Sequence, residues 1–215
     1  MYASTVEGES EEGQRLTFVV SGQLWNRSLV MMDQGTKSLW SHILGKCMDG
    51  KLKGSELEVL SSDMLTWDAW KKEHPRTTVL NLKRTARVFN GDFYIQPERF
   101  VVGLSGAFGL RHVSFATLKK TPLMNADARG LKLLVLADAE STSVRIFERK
   151  VGEQTLTFET VDEKLRDRET KRLWDRRSGT AVEGKLKGMK LEPQAGNLSF
   201  TRAWKTFHPD SRPLE

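Results

Sequence analysis

The side chains in this sequence that could do chemistry are a few carboxylates, four histidines and a single cysteine. Asp33 is followed three residues later by Thr36, and Asp167 is followed by Thr170 in the same way. At this spacing an aspartate accepts hydrogen bonds from its own tight turn. We interpret both aspartates as turn-forming residues, with catalysis as the alternative, and assign no catalytic or metal-binding residue. The candidate binding residues are His42, Asp33, His74, Asp167 and His208.

All of these candidates belong to a segment that the chain contains twice. Asp33–Pro75 aligns without a gap with Asp167–Pro209 at a constant offset of 134 residues, and 18 of the 43 positions are identical. The shared skeleton is D-x-x-T-K-x-L-W, then G-K-L-K-G-x-x-L-E, then A-W-K-x-x-H-P. This indicates an internal duplication, in which a pseudo-twofold axis would relate the two copies and a cleft would lie between them.

His42 departs from the duplication, because the second copy carries Asp175 and no histidine in this region. A polar residue that only one copy has is the best candidate for a function of that copy. Cys47 lies five residues further on and is replaced by Ala181. A Cys/His pair can bind a metal or supply a nucleophile. Side chains five apart on a strand point to opposite faces, so the two meet only if a bend intervenes.

Each copy is predicted to end in a helix of about three turns. Asp63 and Asn197 occupy equivalent positions and are good N-caps. His74 and His208 directly precede prolines, where a helix must end and where a histidine interacts favourably with the helix C-terminus. We prefer this structural role for both histidines, with metal binding as the alternative. Four tryptophans fall in matched pairs and are predicted to be buried: Trp40, Trp174, Trp70 and Trp204.

The remaining pattern predicts a mainly β fold, with α+β as the alternative. Two pseudo-symmetric β-rich repeats with one short helix each would form a single domain over 1–215, divided into 1–80, a connector at 81–98, and 99–215. The motif L-T-F recurs at an offset of 140, so we expect the loop Val19–Met32 to be six residues longer in the first copy. Predicted strands are Arg15–Ser21, Leu29–Met32, Lys37–Trp40, Phe100–Leu104, Leu131–Ala137, Ser143–Arg149 and Thr155–Thr160.

The repeated G-K-L-K-G, at Gly50–Gly54 and Gly184–Gly188, is predicted to be a bend between short strands. A phosphate-binding loop would need the pattern G-x-x-x-x-G-K-[ST] before a helix, and neither copy has that pattern. Asp33 to Thr36 is likewise predicted to be the tight turn of a hairpin.

The composition excludes few classes of function. The net charge is +6, and residues 164–190 alone hold ten Lys or Arg against four Asp or Glu. We interpret this segment as a solvated surface and expect no tight binding of nucleic acid at physiological salt. No apolar run is long enough to span a membrane, and no signal peptide follows Met1. A single cysteine suits a reducing compartment, although export stays open if the natural start lies upstream.

The motifs F-V-V-S-G, L-V-M-M-D-x-x-T-K-S-L-W-S, G-K-L-K-G-x-x-L and W-x-x-W-x-x-x-H-P-x-T-x-V-L resemble a bacterial family called domain of unknown function 3179. The resemblance covers Arg15–Leu80 closely and the second copy more loosely. The family has no established activity, so the resemblance identifies a relative and implies no chemistry.

The family pattern also has an upstream half, with W-H-E-x-x-N-D and a Cys-x-x-Cys-like segment. The middle of this chain resembles a degenerate version of it, with Val101–Leu104 as the opening strand and Asn125 as the asparagine of that motif. The cysteine positions carry Ala137 and Asp138, which implies that metal or redox chemistry is absent from the second copy. For the first copy this half would precede Met1. We therefore expect an N-terminally incomplete chain, whose open sheet edge along Leu16–Val20 favours association.

The sequence thus favours a non-catalytic binding or scaffold domain, whose two halves make a cleft. One alternative is a metal-dependent or redox enzyme whose ligands lie largely upstream and include His42. A second alternative is nucleic-acid binding through residues 164–190. The sequence identifies no cofactor, ligand or partner.

Overall fold

The computed structural model describes residues 16–62, 64–79, 96–138 and 142–215. Over these residues the fold is mainly β, as predicted, with five sheets and three α-helices. None of the described helices is long and apolar enough to cross a membrane. Residues 1–15 and most of the predicted connector at 81–98 fall outside the described part, so the proposed domain boundaries stay a prediction.

The first unit is an antiparallel sheet followed by a helix. The sheet has the order β1-β2-β3-β4, and the helix α1 follows it along the chain. The bounds are β1 (Phe18–Trp25), β2 (Ser28–Asp33), β3 (Leu39–Ser41), β4 (Lys46–Asp49) and α1 (Trp67–Glu73).

The second unit builds four sheets, with the orders β16-β5-β6-β17, β15-β9-β8-β7, β12-β13-β14 and β10-β11. Its elements are β5 (Phe100–Leu104), β6 (Arg111–Ser114), α2 (Phe115–Lys120), β7 (Leu123–Ala128), β8 (Leu131–Ala137), β9 (Val144–Glu148), β10 (Lys150–Val151), β11 (Gln154–Thr155), β12 (Phe158–Val161), β13 (Lys164–Asp167), β14 (Leu173–Trp174), β15 (Glu192–Pro193), β16 (Asn197–Phe200), α3 (Thr201–Phe207) and β17 (Arg212–Pro213).

Strand β8 is the centre of the second unit, because both of its faces are buried. Leu133 and Val135 face a core that includes residues of β5, β6 and α2. Leu134 and Leu136 face a second core that includes residues of β12, β13 and β14. A strand buried on both faces reads as a continuous apolar run, which is why L-K-L-L-V-L-A predicts β8 with its observed bounds.

The duplication predicted from the sequence recurs in the backbone hydrogen bonds. In the first G-K-L-K-G bend, the N–H of Gly54 donates to the carbonyl of Cys47 (3.0 Å), and in the second the N–H of Gly188 donates to the carbonyl of Ala181 (2.9 Å). Gly50 has a φ of 98°, and a Cβ there would lie 2.7 Å from Ser38. The predicted bend is confirmed in both copies.

The helix starts differ from the prediction. Helix α1 begins at Trp67 after the N-cap Thr66, and α3 begins at Thr201, its equivalent position. Asp63 lies outside the described residues. Asn197 is not an N-cap but the first residue of β16, because pairing with Gly103 on β5 overrides its local preference. Helix α2 was not predicted, so the second unit has two helices instead of one.

The first copy's β1–β2 hairpin is longer than its counterpart β12–β13. Its strands have eight and six residues, against four and four, so the six extra residues lengthen the hairpin and do not form a loop. A bulge interrupts the pairing between Val20 and Leu24. Both hairpins turn through two residues of positive φ, Asn26–Arg27 and Asp162–Glu163, as type I′ turns do.

The outer edge of β12 is covered by Asn125 on β7. The side-chain amide of Asn125 donates to the carbonyl of Phe158 (2.8 Å), and its oxygen accepts from the N–H of Phe158 (2.7 Å). Within the described ranges, β1 pairs with β2 and with no other strand. The edge at Phe18, the residue that matches Phe158, is therefore without a described partner strand.

Candidate functional site

Asp33 and Asp167 form the same buried turn in their two units. Asp33 accepts hydrogen bonds from the backbone N–H of Thr36 (2.6 Å), the hydroxyl of Thr36 (2.8 Å) and the indole N–H of Trp40 (3.2 Å). Asp167 accepts the equivalent bonds from Thr170 (2.5 and 2.7 Å) and from Trp174 (2.9 Å). The structure therefore supports the turn interpretation and adds the tryptophan, which fixes the turn to the core.

The environment keeps both carboxylates ionised. Asp33 and Asp167 have no exposed surface, and burial alone would raise the pKa of each. The hydrogen bonds from the backbone, from the threonine and from the tryptophan outweigh burial and hold each pKa below its ordinary value. A saturated, buried carboxylate is poorly placed to exchange protons with a substrate.

His74 and His208 belong to a second duplicated arrangement. Each ring lies against the tryptophan four residues before it, at 4.0 Å for Trp70 and 4.1 Å for Trp204. The indole of Trp70 donates to Thr77 (3.0 Å), and that of Trp204 donates to Ser211 (2.8 Å). These repeated contacts support the structural role that we preferred for both histidines.

The surroundings of the two arrangements differ. Trp204 has no exposed surface, and its ring fills the space above Gly103, where a Cβ would lie 2.2 Å from it. Burial lowers the pKa of His208 and favours its neutral form. Trp70 is only partly buried and His74 is exposed. The prediction that all four paired tryptophans are buried is therefore wrong for Trp70.

Cys47 and His42 do not form a reactive pair. Cys47 is buried on β4, where its thiol donates to the carbonyl of Asp49 (3.3 Å), and burial raises the pKa of the thiol. A nucleophilic cysteine needs a lowered pKa. Nδ1 of His42 donates to the carbonyl of Leu29 (2.7 Å) on the neighbouring strand. His42 lines a cleft, and Cys47 does not.

The residue equivalent to His42 is Arg176, and Asp175 corresponds to Ser41. Asp175 caps its own turn by accepting from the backbone N–H and the hydroxyl of Ser178 (2.7 and 2.8 Å). The asymmetry at His42 thus exchanges one basic side chain for another. Arg176 lies instead beside β12, where it donates to Thr160 (3.3 Å).

The two units share a cleft, which we call the inter-unit cleft. It has a volume of about 970 Å³ and lies between the tip of the β1–β2 hairpin and the β16–α3 segment. Ile43 and Phe100 contribute buried apolar surface, and Leu29 and Phe200 contribute exposed apolar surface. The hairpin tip also reaches α3 directly, because the rings of Trp25 and Phe207 meet edge to face at 4.8 Å.

A second cavity of about 900 Å³ adjoins the inter-unit cleft. Ile43 and Asn197 line both cavities, and His208 lines the second one. Of the five candidate residues, the structure thus places His42 and His208 on adjoining cavities. His74 lines a separate shallow depression beside α1, and the two aspartates line none of the cavities described. In the described part of the chain, no three His, Cys, Asp or Glu side chains are grouped so that they could hold a metal ion.

The two units also meet through α1. Glu73, the last residue of α1, accepts from Arg145 on β9 (3.0 Å) and pairs with Arg177 (3.2 Å). The equivalent last residue of α3 is Phe207, which contacts Trp25 of the first unit. The final residue of each helix therefore contacts the other unit, an arrangement that supports a pseudo-twofold relation between them.

Part of the basic segment 164–190 is neutralised within the fold. Arg166 and Arg168 share Glu159 (2.7 and 3.1 Å), and Arg177 pairs with Glu73. These contacts favour our interpretation of the segment as a solvated surface. Whether it binds nucleic acid stays a prediction.

Sequence reasoning missed the arginines of the inter-unit cleft, which are Arg27, Arg99 and Arg202. Two of them could have been found by comparing the copies. Arg202 stands where the first copy has Asp68. Arg27 occupies a hairpin turn whose counterpart is acidic, with Asp162 and Glu163. Arg99 precedes the duplicated segment and gave no such signal.

Comparison with known proteins gives one match. A family model described as Protein of unknown function (DUF3179) matches residues 1–96 and again residues 86–211. The two matched segments overlap and together span most of the chain, and they agree with an internal duplication. No curated protein and no solved structure matches the chain.

Proposed function

This chain belongs to the family described as Protein of unknown function (DUF3179), and we propose that it is a non-catalytic binding domain whose ligand lies in the inter-unit cleft. The hairpin extension is the observation that carries the proposal. The six residues that only the first copy has lengthen β1 and β2, and the lengthened tip forms one wall of the cleft.

The apolar surface of the cleft supports binding. Phe200 is 41% exposed and Met64 is 37% exposed, although both are large apolar side chains. Ligand sites are typically concave and mainly apolar, with a few polar groups that orient the ligand. The cleft fits this description, and its volume falls within the usual range for small-molecule sites.

The state of the candidate chemical groups favours binding over catalysis. The carboxylate oxygens of Asp33 and Asp167 accept hydrogen bonds from the backbone of their own turns and from tryptophan indoles. The thiol of Cys47 is buried with a raised pKa. His42 is thus the candidate residue that lines the cleft, and a single imidazole can orient a ligand by hydrogen bonding.

The test uses N-phenyl-1-naphthylamine, a neutral apolar dye that fluoresces in apolar surroundings. We expect saturable binding to the intact chain. Ala203 lines the cleft, and Ala203→Trp should weaken binding by about tenfold or more, which corresponds to 1.4 kcal/mol. Ala69 is the matched position of the first copy, lies outside the cleft lining, and Ala69→Trp should leave binding unchanged.

A second pair of substitutions, at exposed positions, separates a loss of binding from a loss of folding. Thr206 lines the cleft but is exposed, and its first-copy equivalent Lys72 is also exposed. Thr206→Trp should weaken dye binding and Lys72→Trp should not, with both variants melting as the parent does. Equal effects of the two members of either pair, or no saturable binding to the parent, would overturn the proposal.

A further inference from the structure

The charges of the inter-unit cleft identify the class of ligand, an inference that rests on the proposed function. Three arginines and His42 line the cleft. Among the described residues of its lining there is no aspartate or glutamate. A concave site lined by charges of one sign concentrates ligands of the opposite sign. We propose that the ligand is a small organic anion, with one anionic group on an apolar body.

Arg99 lies over the ring of Phe200. Its guanidinium lies 5.7 Å from the centre of the Phe200 ring, and Phe200 in turn lies 4.2 Å from Phe100. Stacking on an aromatic face is a favourable position for arginine. One of its N–H groups donates to Gln96 (3.0 Å), and a guanidinium has five such groups. The remaining donors suit a carboxylate, sulfonate or phosphate oxygen.

Neither of the other two arginines has a basic counterpart in the other copy. Arg202 lies in the first turn of α3, and the first copy has the opposite charge there, Asp68. Arg27 lies in the turn of the extended hairpin, and the equivalent turn of the second copy carries Asp162 and Glu163. Both differences make the cleft more positive than a symmetric arrangement would be.

Apolar side chains in the rest of the lining indicate that the ligand has an apolar body. Leu29 and Ile43 come from the first unit, and Leu198 and Phe200 come from the second. A purely polar anion, such as inorganic phosphate, would leave this apolar surface in contact with water. An anion with an aromatic or aliphatic body would cover this surface and remove it from water, which favours binding.

The test compares two dyes that differ in a sulfonate, 8-anilinonaphthalene-1-sulfonate and N-phenyl-1-naphthylamine. We expect the chain to bind the sulfonate dye at least about tenfold more tightly, with a preference that shrinks as salt is added. The double substitution Arg99→Gln with Arg202→Gln should remove the preference, so that the two dyes bind with affinities within about twofold of each other. Arg176→Gln, at the position matched to His42, is the control and should preserve the preference.

The outcomes separate this inference from the proposed function. In one outcome, Ala203→Trp abolishes binding of the neutral dye, but the parent shows no preference for the sulfonate dye. This outcome would overturn the anion assignment and leave the binding function standing. A preference that survives the double arginine substitution would also overturn the assignment. Dye binding that Ala203→Trp does not affect would overturn both.

Discussion

Replacing Asp167 with alanine is expected to lower the free energy of unfolding by about 3–5 kcal/mol. The substitution leaves the N–H groups of Thr170 and Arg172 and the indole of Trp174 without their shared acceptor. A buried donor without a partner costs about 1–3 kcal/mol. For a chain of this size the melting temperature should fall by about 6–20 °C. Urea unfolding measures the free energy and a thermal scan measures the melting temperature, both followed by tryptophan fluorescence.

The same carboxylate should make stability depend on pH. Its pKa is lowered from 3.8 in the folded chain. Its contribution is therefore fully present above about pH 4, the ordinary pKa of an aspartate, and is lost as the pH falls through the lowered value. The difference in unfolding free energy between the parent and Asp167→Asn should be constant from pH 5 to pH 7 and should shrink toward pH 2.

Glu183→Gln is the control, because Glu183 is exposed and its loss should change stability by less than about 0.5 kcal/mol. Asp33→Ala tests the same turn in the first copy and should also destabilise strongly. If Asp167→Ala unfolds with the same midpoint as Glu183→Gln, the carboxylate is not the anchor of the turn that its hydrogen bonds indicate.

Trp204→Ala is expected to destabilise the chain by about 3–5 kcal/mol, whereas Trp70→Ala should cost less than half as much. The two tryptophans occupy equivalent helix positions, but Trp204 has no exposed surface and Trp70 is only partly buried. The cost of truncation follows the buried surface and the cavity that is left. Thermal and urea unfolding of the two variants give a comparison in which the sequence context is nearly the same.

Gly103→Ala changes the other residue of the same contact. A Cβ at Gly103 would lie 2.2–2.4 Å from the Trp204 ring, which requires the helix or the strand to shift. The double variant Gly103→Ala with Trp204→Ala should therefore lose less stability than the sum of the two single variants. Equal losses for Trp204→Ala and Trp70→Ala would contradict the asymmetric docking of the two helices.

Much of the fold could be predicted because it is local. The Asp33–Thr36 turn, the G-K-L-K-G bends and the strands Phe100–Leu104 and Leu131–Ala137 follow from turn residues and short apolar runs. The offset of 140 locates Phe18 and Phe158 as equivalents. Both rings lie edge to face with their tryptophan, at 5.4 Å for Phe18 and Trp40 and at 5.6 Å for Phe158 and Trp174.

The predictions that were wrong concern residues whose local structure depends on contacts with distant segments. Asn197 has the preference of a helix cap, but pairing with β5 makes it a strand residue. Trp70 and Trp204 are equivalent in sequence, yet the second rests on Gly103, which precedes the duplicated segment. Neither residue carries a local signal for its surroundings, so no reading of either copy alone could distinguish them.

The candidate site was predicted only in part. His42 was chosen because it breaks the duplication, and it lines the inter-unit cleft. The six extra residues near Val19–Met32 were recognised, but their length alone does not show that the hairpin reaches α3. The arginines that line the cleft come from three separate parts of the chain, and only folding brings Arg27, Arg99 and Arg202 to one cavity.

The most direct measurement is a crystal structure of the chain with bound 8-anilinonaphthalene-1-sulfonate. Our account predicts the naphthalene rings between Leu29 and Phe200 in the inter-unit cleft. It also predicts a sulfonate oxygen within about 3 Å of a guanidinium nitrogen of Arg99 or Arg202. A dye bound elsewhere, for example along the edge of β1, or a dye in the cleft with its sulfonate away from every arginine, would contradict the account.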